Sequence, residues 1–262
     1  MIIDIHCHAG TGDGLRGPWD TEARIEPHLA RAAAAGIDLT CVFPVFNRDY
    51  AAANARLARI VRRHERQLIG FAAVHPRSDA GRVDRLVGTA VERYGFRGIK
   101  VHGFDAFPTR EVCEVAERHG IPLLVDIVGR INVLEMLAWQ YPGVSFIVPH
   151  LGGFKDDWAV HLALIDRMRR YPNVFGDTSG VRYWDALPLA LREAGPHKLL
   201  FGSDGPQLHP GVELHKIRVL QAPAGWKRAI MGGNAARLLG MSVCAPHSPA
   251  CRDETMSARR SL

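Results

Sequence analysis

Two histidines separated by a single residue, His6 and His8, follow the apolar start of the chain. In a β-strand, residues two positions apart point to the same face, so the two imidazoles would lie side by side at the end of a buried strand. Imidazole is the commonest metal ligand among side chains, and two of them supply half of a tetrahedral site. Two core histidines could instead be satisfied by hydrogen bonds, although an adjacent pair would need a shared partner. The spacing therefore predicts a metal site.

Two carboxylates are candidates to complete that site. Asp126 lies alone in the apolar run 122–128, where an unpaired buried carboxylate is costly or is forced to be neutral. A metal would remove that cost, and so would a salt bridge with a lysine such as Lys100. Asp204 ends a predicted buried strand and precedes a Gly-Pro turn, so its carboxylate could bind a metal and hold a water. The alternative for Asp204 is an N-cap or loop aspartate.

Four further side chains are candidates for catalysis or substrate binding. His150 ends an apolar run before a Gly-Gly turn, where it could transfer protons, although a lone histidine is often a satisfied core residue. Lys100 and His102 share one strand face. Lys100 could bind a substrate carboxylate, form a carbamylated metal bridge or belong to a structural ion pair. Arg182 falls in a strand-to-helix loop, where it could line a pocket or simply be solvated.

The elements that would position these residues alternate from start to finish. The predicted strands span residues 2–6, 40–45, 68–74, 98–102, 122–128, 144–149, 173–178 and 199–203. The predicted helices span residues 22–35, 50–63, 82–94, 110–119, 133–141, 158–171, 184–194 and 226–239. Alternating strands and helices favour parallel βαβ units, and eight of them fit a single α/β domain, a distorted (β/α)8 TIM barrel. In such a barrel the site lies at the C-terminal ends of the strands. A doubly wound open sheet is the alternative, but no G-x-G-x-x-G follows the first strand.

Composition narrows the remaining possibilities. The chain has 262 residues, of which 47% are hydrophobic and 23% charged, and its formal net charge is +6. The basic residues are spread along helices rather than interleaved with aromatics, which argues against a nucleic-acid groove. No segment is apolar enough to span a bilayer and the first strand starts at Met1, so we expect a cytoplasmic protein. Five cysteines without a CxxC argue against a disulfide framework.

The chain is expected to divide into residues 1–240, which form the barrel, and residues 241–262, a poorly ordered tail rich in Ser, Pro and Cys. The segment 9–21 between the first strand and the first helix is too short for a large lid. A homodimer in which a second subunit helps to cover the pocket is therefore an open expectation.

Taken together, these motifs resemble the amidohydrolase superfamily, and in particular the amidohydrolase-2 group that includes aminocarboxymuconate-semialdehyde decarboxylase and related hydrolases and lactonases. The segments that carry the resemblance are 3–8, 98–102, 149–153, 200–206 and 233–239. The resemblance implies one divalent metal at the barrel mouth, held by His6, His8 and Asp204, with His150 as acid–base residue or further ligand. Asp126 stands where relatives usually carry a histidine, and a carboxylate there favours harder metals such as manganese over zinc.

The leading functional hypothesis is metal-dependent hydrolysis of a small substrate such as a cyclic amide, amide, lactone or ester. Zinc is the favoured metal and manganese the alternative; His6, His8, Asp126 and Asp204 would hold it and lower the pKa of bound water. Asp204 or His150 would transfer the proton, and a substrate carbonyl or carboxylate would be oriented by Lys100, His102 or Arg182.

Three alternatives stay open. The same residues would serve nonoxidative decarboxylation of a small carboxylated substrate. A TatD-type deoxyribonuclease also starts with HxH, but it needs a strand-4 glutamate where this chain has a lysine nearby. The third alternative is a catalytically silent barrel that binds a metabolite, and its best support is Asp126 in place of a histidine.

Overall fold

The computed structural model describes residues 1–14, 21–154 and 157–241. Its strands are β1 Ile3–Thr11, β2 Glu22–Ala23, β3 Leu39–Pro44, β4 Leu68–Gly70, β5 Ala72–Ala73, β6 Ile99–Val101, β7 Leu123–Val125, β8 Phe146–Val148, β9 Val174–Asp177 and β10 Leu199–Leu200. Its α-helices are α1 Ile25–Ala35, α2 Tyr50–Arg63, α3 Val83–Tyr94, α4 Arg110–His119, α5 Ile131–Gln140, α6 Trp158–Arg170, α7 Ala186–Glu193, α8 Pro210–Arg218, α9 Ala224–Arg228 and α10 Asn234–Leu238.

Parallel strands follow one another around a ring. One sheet runs β2-β1-β3-β4 and the other β10-β9-β8-β7-β6-β5. Strand β2 is antiparallel to β1, and the other strand pairs of the described residues are parallel. Strands β4 and β5 are separated by Phe71 alone, whose N–H donates to the Val42 carbonyl at 2.8 Å. At the other seam the N–H of Ile5 donates to the Phe201 carbonyl at 2.9 Å. Within the described residues, these two seams join the sheets, and the predicted (β/α)8 fold is confirmed.

The interior of the ring is filled by apolar side chains from successive strands. These residues are Ile3, Ile5, Cys41, Phe43, Ile69, Phe71, Leu124, Ile147, Phe175 and Leu200. Ala235 and Ala236 of α10 belong to the same cluster, and Gly232, just before α10, lies against the backbone of Met1. The helix thus covers the end of the barrel where the strands begin, and the polar strand ends face the opposite side.

A β-bulge in β1 redirects the side chains that reach the site. Asp4 pairs with Thr40 and Cys7 with Val42, so β1 carries one residue more than β3 over this stretch. Ile3 and Ile5 belong to the barrel interior, and strict alternation from them would turn His6 away from it. The extra residue restores His6 to the inner face, where its ring lies 5.1 Å from that of Phe43. Bulges commonly re-aim side chains in this way at barrel rims and beside active sites.

The eight predicted strands are all present, and the predicted helices correspond to α1–α7 and to the stretch from α9 to α10. Strand β2 and helix α8 were not predicted from the sequence. Helix α8 starts with Pro210 at its first turn, after His209, whose Nδ1 accepts the Gly211 N–H at 3.2 Å. Proline is favoured at the first helical position because its missing N–H has no helical partner there, so Pro-Gly begins a helix here rather than a loop.

Two predictions concern regions at the limits of the described chain. The predicted tail 241–262 lies, apart from Met241, outside the described residues, and the division into two segments stays a prediction. Over the described ranges, the helices are too short or too polar to cross a lipid bilayer.

Candidate metal centre

Three of the predicted metal ligands converge at the barrel mouth. One donor atom each from His6, His8 and Asp204 lie within 4.8 Å of one another. Asp204 Oδ1 lies 3.3 Å from His6 Nε2 and 3.2 Å from His8 Nε2. Around an ion with metal–ligand distances of about 2.0–2.2 Å, neighbouring ligand atoms lie roughly 3.0–3.5 Å apart. The three side chains therefore fit a divalent metal, and three protein ligands leave positions open, as in catalytic sites.

Their protonation states also suit a metal. Burial lowers the pKa of His6 and lowers that of His8 to about 4, so both imidazoles are neutral near pH 7. Burial by itself would raise the pKa of Asp204, but the hydrogen bond from His8 and the nearby His6 hold it below its ordinary value. Two neutral imidazoles and one carboxylate are the deprotonated forms that bind a metal.

The position of Asp204 is fixed by its backbone. Its N–H donates to the His6 carbonyl at 2.8 Å, and its φ is 55°, in the left-handed region that is strained for a residue other than glycine. One residue earlier, the N–H and Oγ of Ser203 donate to the buried carboxylate of Asp4 at 2.8 and 2.5 Å. Asp4 thereby ties the segment after β10 to β1 and brings the carboxylate of Asp204 to the two histidines.

Asp177 lies behind the three converging donors, at the end of β9. Its Oδ2 is 2.7 Å from His6 Nδ1, and its Oδ1 accepts from the N–H groups of His150 (3.1 Å) and Ser179 (2.9 Å) and from Ser179 Oγ (2.6 Å). Burial alone would raise the pKa of Asp177, but His6 and the other donors keep it below its ordinary value. The ionised carboxylate accepts the Nδ1 proton of His6, which leaves Nε2 free to bind a metal.

His150 joins the site from the segment after β8. Its ring lies 5.1 Å from that of His6 and 5.0 Å from that of Phe154. Its Nδ1 is 2.9 Å from the Ser179 carbonyl, which can only accept, so Nδ1 carries the proton and Nε2 is left for a reaction partner. His150 has a φ of 58°, and the hydrogen bond from its N–H to Asp177 helps to hold this left-handed conformation.

Asp126, the fourth predicted ligand, lies in the loop after β7. Among the described residues, the group of converging metal donors does not include it. Its Oδ1 accepts the N–H of Val128 at 2.9 Å, and Val128 has a left-handed φ of 49°. The carboxylate therefore stabilises the loop after β7. Asp126 also attracts Lys100 electrostatically, but no ion pair within 4.0 Å joins these two described residues.

Lys100 and His102 both lie on the inner side of the site. Lys100 Nζ is 4.5 Å from the ring centroid of Phe43, and burial lowers the pKa of this lysine. His102 stacks on His8 at 5.7 Å, and its Nε2 lies 3.1 Å from the Pro44 carbonyl. Burial holds the pKa of His102 well below its ordinary value, so this imidazole is neutral and packs beside His8.

Arg182 is exposed after β9, and its Nη2 donates to the Phe154 carbonyl at 3.5 Å. Arg182 therefore contacts the backbone of Phe154, the residue whose ring packs against His150. Its substrate-binding role, like those of Lys100 and His102, stays a prediction.

The sequence analysis gave no role to Asp177, Ser179, Asp4 or Phe43. Asp177 carried a usable signal, because it ends a predicted buried strand on the same rim as the other candidates. The remaining three carried none, since Ser179 acts through its backbone and hydroxyl, Asp4 bridges distant segments, and Phe43 is one apolar residue among many.

Known proteins were compared with the chain by sequence and by structure. The profile of the family described as Amidohydrolase matches residues 3–241. No curated sequence matches the chain at a significant level. Among solved structures, 5-carboxyvanillate decarboxylase LigW from Sphingomonas paucimobilis has a TM-score of 0.71 and 16% identity, covering 92% of this chain and 99% of that one.

Two further structures share the fold. The 2,6-dihydroxybenzoate decarboxylase from Rhizobium has a TM-score of 0.69 and 16% identity, covering 91% of this chain and 98% of its own. A dihydroxybenzoic acid decarboxylase from Polaromonas, solved with manganese and the inhibitor 2-nitroresorcinol, has a TM-score of 0.67 and 16% identity, with 91% and 96% covered.

Proposed function

Because this chain belongs to the amidohydrolase family, we propose that it is a metal-dependent enzyme that removes carbon dioxide from a small aromatic carboxylic acid. The fold is shared with the decarboxylases described above, and this likeness supports decarboxylation over hydrolysis, the leading hypothesis from the sequence. The site residues in this proposal are His6, His8 and Asp204 around the metal, with His150 as the proton-transferring group.

The observation that carries the proposal is the aromatic shell around the converging polar groups. The Phe43 ring lies 5.1 Å from His6 and 4.7 Å from His8, and Phe46 lies 4.3 Å from His102. A carboxylate that enters such a weakly polar shell loses hydration, whereas carbon dioxide leaves without charge. The environment therefore favours the loss of the carboxyl group over its retention. The same rings offer apolar surfaces for an aromatic substrate.

The reaction needs a bound carboxylate and a proton donor. A divalent metal at His6, His8 and Asp204 would supply positive charge that holds and orients an acidic substrate. As the bond to the carboxyl carbon breaks, its electron pair stays on the ring carbon, which takes a proton. His150 would deliver that proton from Nε2 in its doubly protonated form, because its Nδ1–H is held by the Ser179 carbonyl and Nε2 is left to face the substrate. The imidazole is then neutral, with its remaining proton on Nδ1. The Phe154 ring, 5.0 Å from the His150 ring, is an apolar neighbour of this histidine.

The metal in this proposal is one divalent ion, either zinc or manganese. Two imidazoles and one carboxylate suit both ions. The Polaromonas decarboxylase was solved with manganese, which makes this ion a necessary part of any test. Elemental analysis of the chain purified without added metal, followed by reconstitution with each ion, would identify the ion that supports activity.

The decisive experiment measures carbon dioxide release from benzoic acids that carry a hydroxyl or a second carboxyl group. The metal-loaded protein should release carbon dioxide and yield the ring-protonated product, and EDTA should stop the reaction. We expect the His150→Asn variant to retain its metal and to lose roughly 10²–10⁴-fold in kcat. Release of carbon dioxide from none of these acids would contradict the proposal.

Hydrolysis is the second candidate, and the ionised state of Asp204 is the observation that favours it. A carboxylate with a pKa below its ordinary value can accept a hydrogen bond from water and orient it beside a substrate carbonyl. Turnover of lactones, esters or cyclic amides in ¹⁸O-labelled water would place the label in the product. Label incorporation without carbon dioxide release would favour hydrolysis.

A further inference from the structure

Lys100 is a buried lysine whose ammonium group has no hydrogen-bond acceptor or ion-pair partner among the described residues. It lies on β6 with 2% of its surface exposed. Its Nζ lies 4.5 Å from the centroid of the Phe43 ring. Asp126, Asp204 and Asp177 are near enough to attract it electrostatically, but none lies within 4.0 Å of Nζ. Lys100 Nζ is not among the fully enclosed polar atoms that lack a partner, so the ammonium group keeps access to the interior of the site, where a ligand could supply the missing acceptor.

A second buried lysine of this chain shows what a structural lysine looks like. Lys198, 5% exposed, also has its Nζ over an aromatic ring, at 4.9 Å from the centroid of Phe175. Its ammonium, however, donates to three backbone carbonyls, those of Tyr171 (2.6 Å), Pro172 (2.9 Å) and Val174 (3.0 Å). Lys198 has as many acceptors as it has protons, whereas Lys100 has none among the residues that the structure describes. The two lysines have similarly small exposed fractions but differ in the hydrogen-bond acceptors around their ammonium groups.

We propose that Lys100 is the anchor for a second anionic group of the substrate, and that the enzyme therefore selects aromatic acids with two anionic substituents. One substituent would face the three metal ligands and the other the ammonium of Lys100. The proposal deepens the proposed function, on which its choice of aromatic acids rests. The structural ion pair that the sequence offered as an alternative for Lys100 is not formed among the described residues. The partner that would satisfy the charge is thus external to these residues.

Thermal stability offers one test, because replacing a ligand-binding lysine and replacing a structural lysine should shift the melting temperature in opposite directions. In the metal-loaded protein without ligand, Lys100→Met removes an unpaired buried charge, so we expect the melting temperature to rise by at least about 2 °C. The matched control Lys198→Met removes the donor of three backbone carbonyls, of which that of Val174 is buried, and should lower the melting temperature by at least about 4 °C. A fall for both variants would contradict the assignment of Lys100 to a ligand.

Binding is the decisive test, with isophthalate as a probe that has two carboxylates and benzoate as a probe that has one. We expect the metal-loaded wild type to bind isophthalate at least tenfold more tightly than benzoate in calorimetric titrations. Lys100→Met should reduce this preference to within about twofold and should leave the metal content at one ion per chain. Lys198→Met should keep the preference of the wild type.

Two outcomes would overturn the inference. If Lys100→Met keeps the preference for isophthalate, Lys100 does not anchor the second anion. If the variant loses its metal, the lysine belongs to the metal centre instead. These readouts do not depend on turnover, so a protein that releases no carbon dioxide would contradict the proposed reaction while the binding result still decides the role of Lys100.

Discussion

His6 Nδ1 lies 2.7 Å from Oδ2 of Asp177, and both side chains are buried. This contact fixes the tautomer of the histidine, because the carboxylate can only accept and Nδ1 must carry the proton. The lone pair on His6 Nε2 is then directed toward Asp204 Oδ1, 3.3 Å away. Asp177, which is not itself one of the three converging donors, therefore determines whether His6 Nε2 is available to a metal.

Replacement of Asp177 by Asn should weaken metal binding about 10–100-fold while leaving the fold intact. An amide can present its NH₂ group to His6 Nδ1, which would favour the tautomer that carries a proton on Nε2. The affinity is measured by competition with a chromogenic chelator. Asp166→Asn, on the outer surface of α6 among Arg167, Arg169 and Arg170, is the matched control and should bind metal as the wild type does. Equal affinities for all three proteins would refute this role of Asp177.

Variants of the carboxylates separate the two predicted aspartate ligands. Asp204→Asn should reduce the bound metal to well below one ion per chain, as should His6→Ala, because each removes one of three converging donors. Asp126→Asn should retain the metal, because the Asp126 carboxylate accepts from Val128 N–H at 2.9 Å and lies outside the converging group of described residues. Metal content is measured by elemental analysis after dialysis. Loss of the ion from Asp126→Asn would restore Asp126 as a fourth ligand.

The strands, most helices and the three converging donors follow from the sequence, because periodicity of apolar residues and polar residues at strand ends are local signals. Other features depend on contacts between distant segments. The bulge in β1 is seen only from its register with β3, and the phase of His6 depends on it. Asp126 is a residue type that can bind a metal, but its carboxylate accepts a hydrogen bond from the backbone of its own loop. A sequence read one segment at a time does not contain these relationships.

The short strand β5 depends on a side chain from a helix. Asn54 of α2, 2% exposed, donates from Nδ2 to the Ala73 carbonyl at 2.8 Å and accepts the Ala73 N–H at 2.9 Å. Asn54→Ala would leave both buried backbone groups without partners, so we expect the free energy of unfolding to fall by about 2–4 kcal/mol. Urea titration measures this change. The exposed Asn132→Ala on α5 is the control and should change stability by less than about 1 kcal/mol.

His28 should make stability depend on pH. Neither ring nitrogen of this buried histidine has a hydrogen-bond partner, and burial, together with Arg31 and His209, lowers its pKa from 6.5 to about 4. Between pH 6.5 and pH 4, His28 is protonated in the unfolded chain but not in the folded chain. The neutral, buried His28 therefore contributes its full stability above pH 6.5, and this stability is lost as the pH falls to 4. The lowering corresponds to roughly 3 kcal/mol.

Asp4 makes the stability of the fold depend on pH in the opposite direction to His28, over nearly the same pH range. Burial raises its pKa from 3.8 to about 7, although hydrogen bonds from Ser203 and His6 oppose the increase. The folded state then binds the extra proton, and stability from Asp4 falls as the pH rises toward 7. Below pH 7 the carboxyl group is therefore largely neutral, and it offers no counter-charge to His28 Nε2, 3.7 Å away. The two effects partly cancel in the wild type, so only a comparison with a variant isolates His28.

The His28→Gln variant provides that comparison. Urea unfolding of both proteins at pH 4, 5, 6 and 7 in EDTA, which removes the contribution of metal release, should show the stability of the wild type falling relative to the variant as the pH drops. The difference between the two free energies of unfolding should change by roughly 3 kcal/mol between pH 6.5 and 4. The same pH series with His64→Gln, which replaces a partly buried histidine at the end of α2, is the control. A constant difference between wild type and His28→Gln would mean that His28 is protonated equally in the folded and unfolded states.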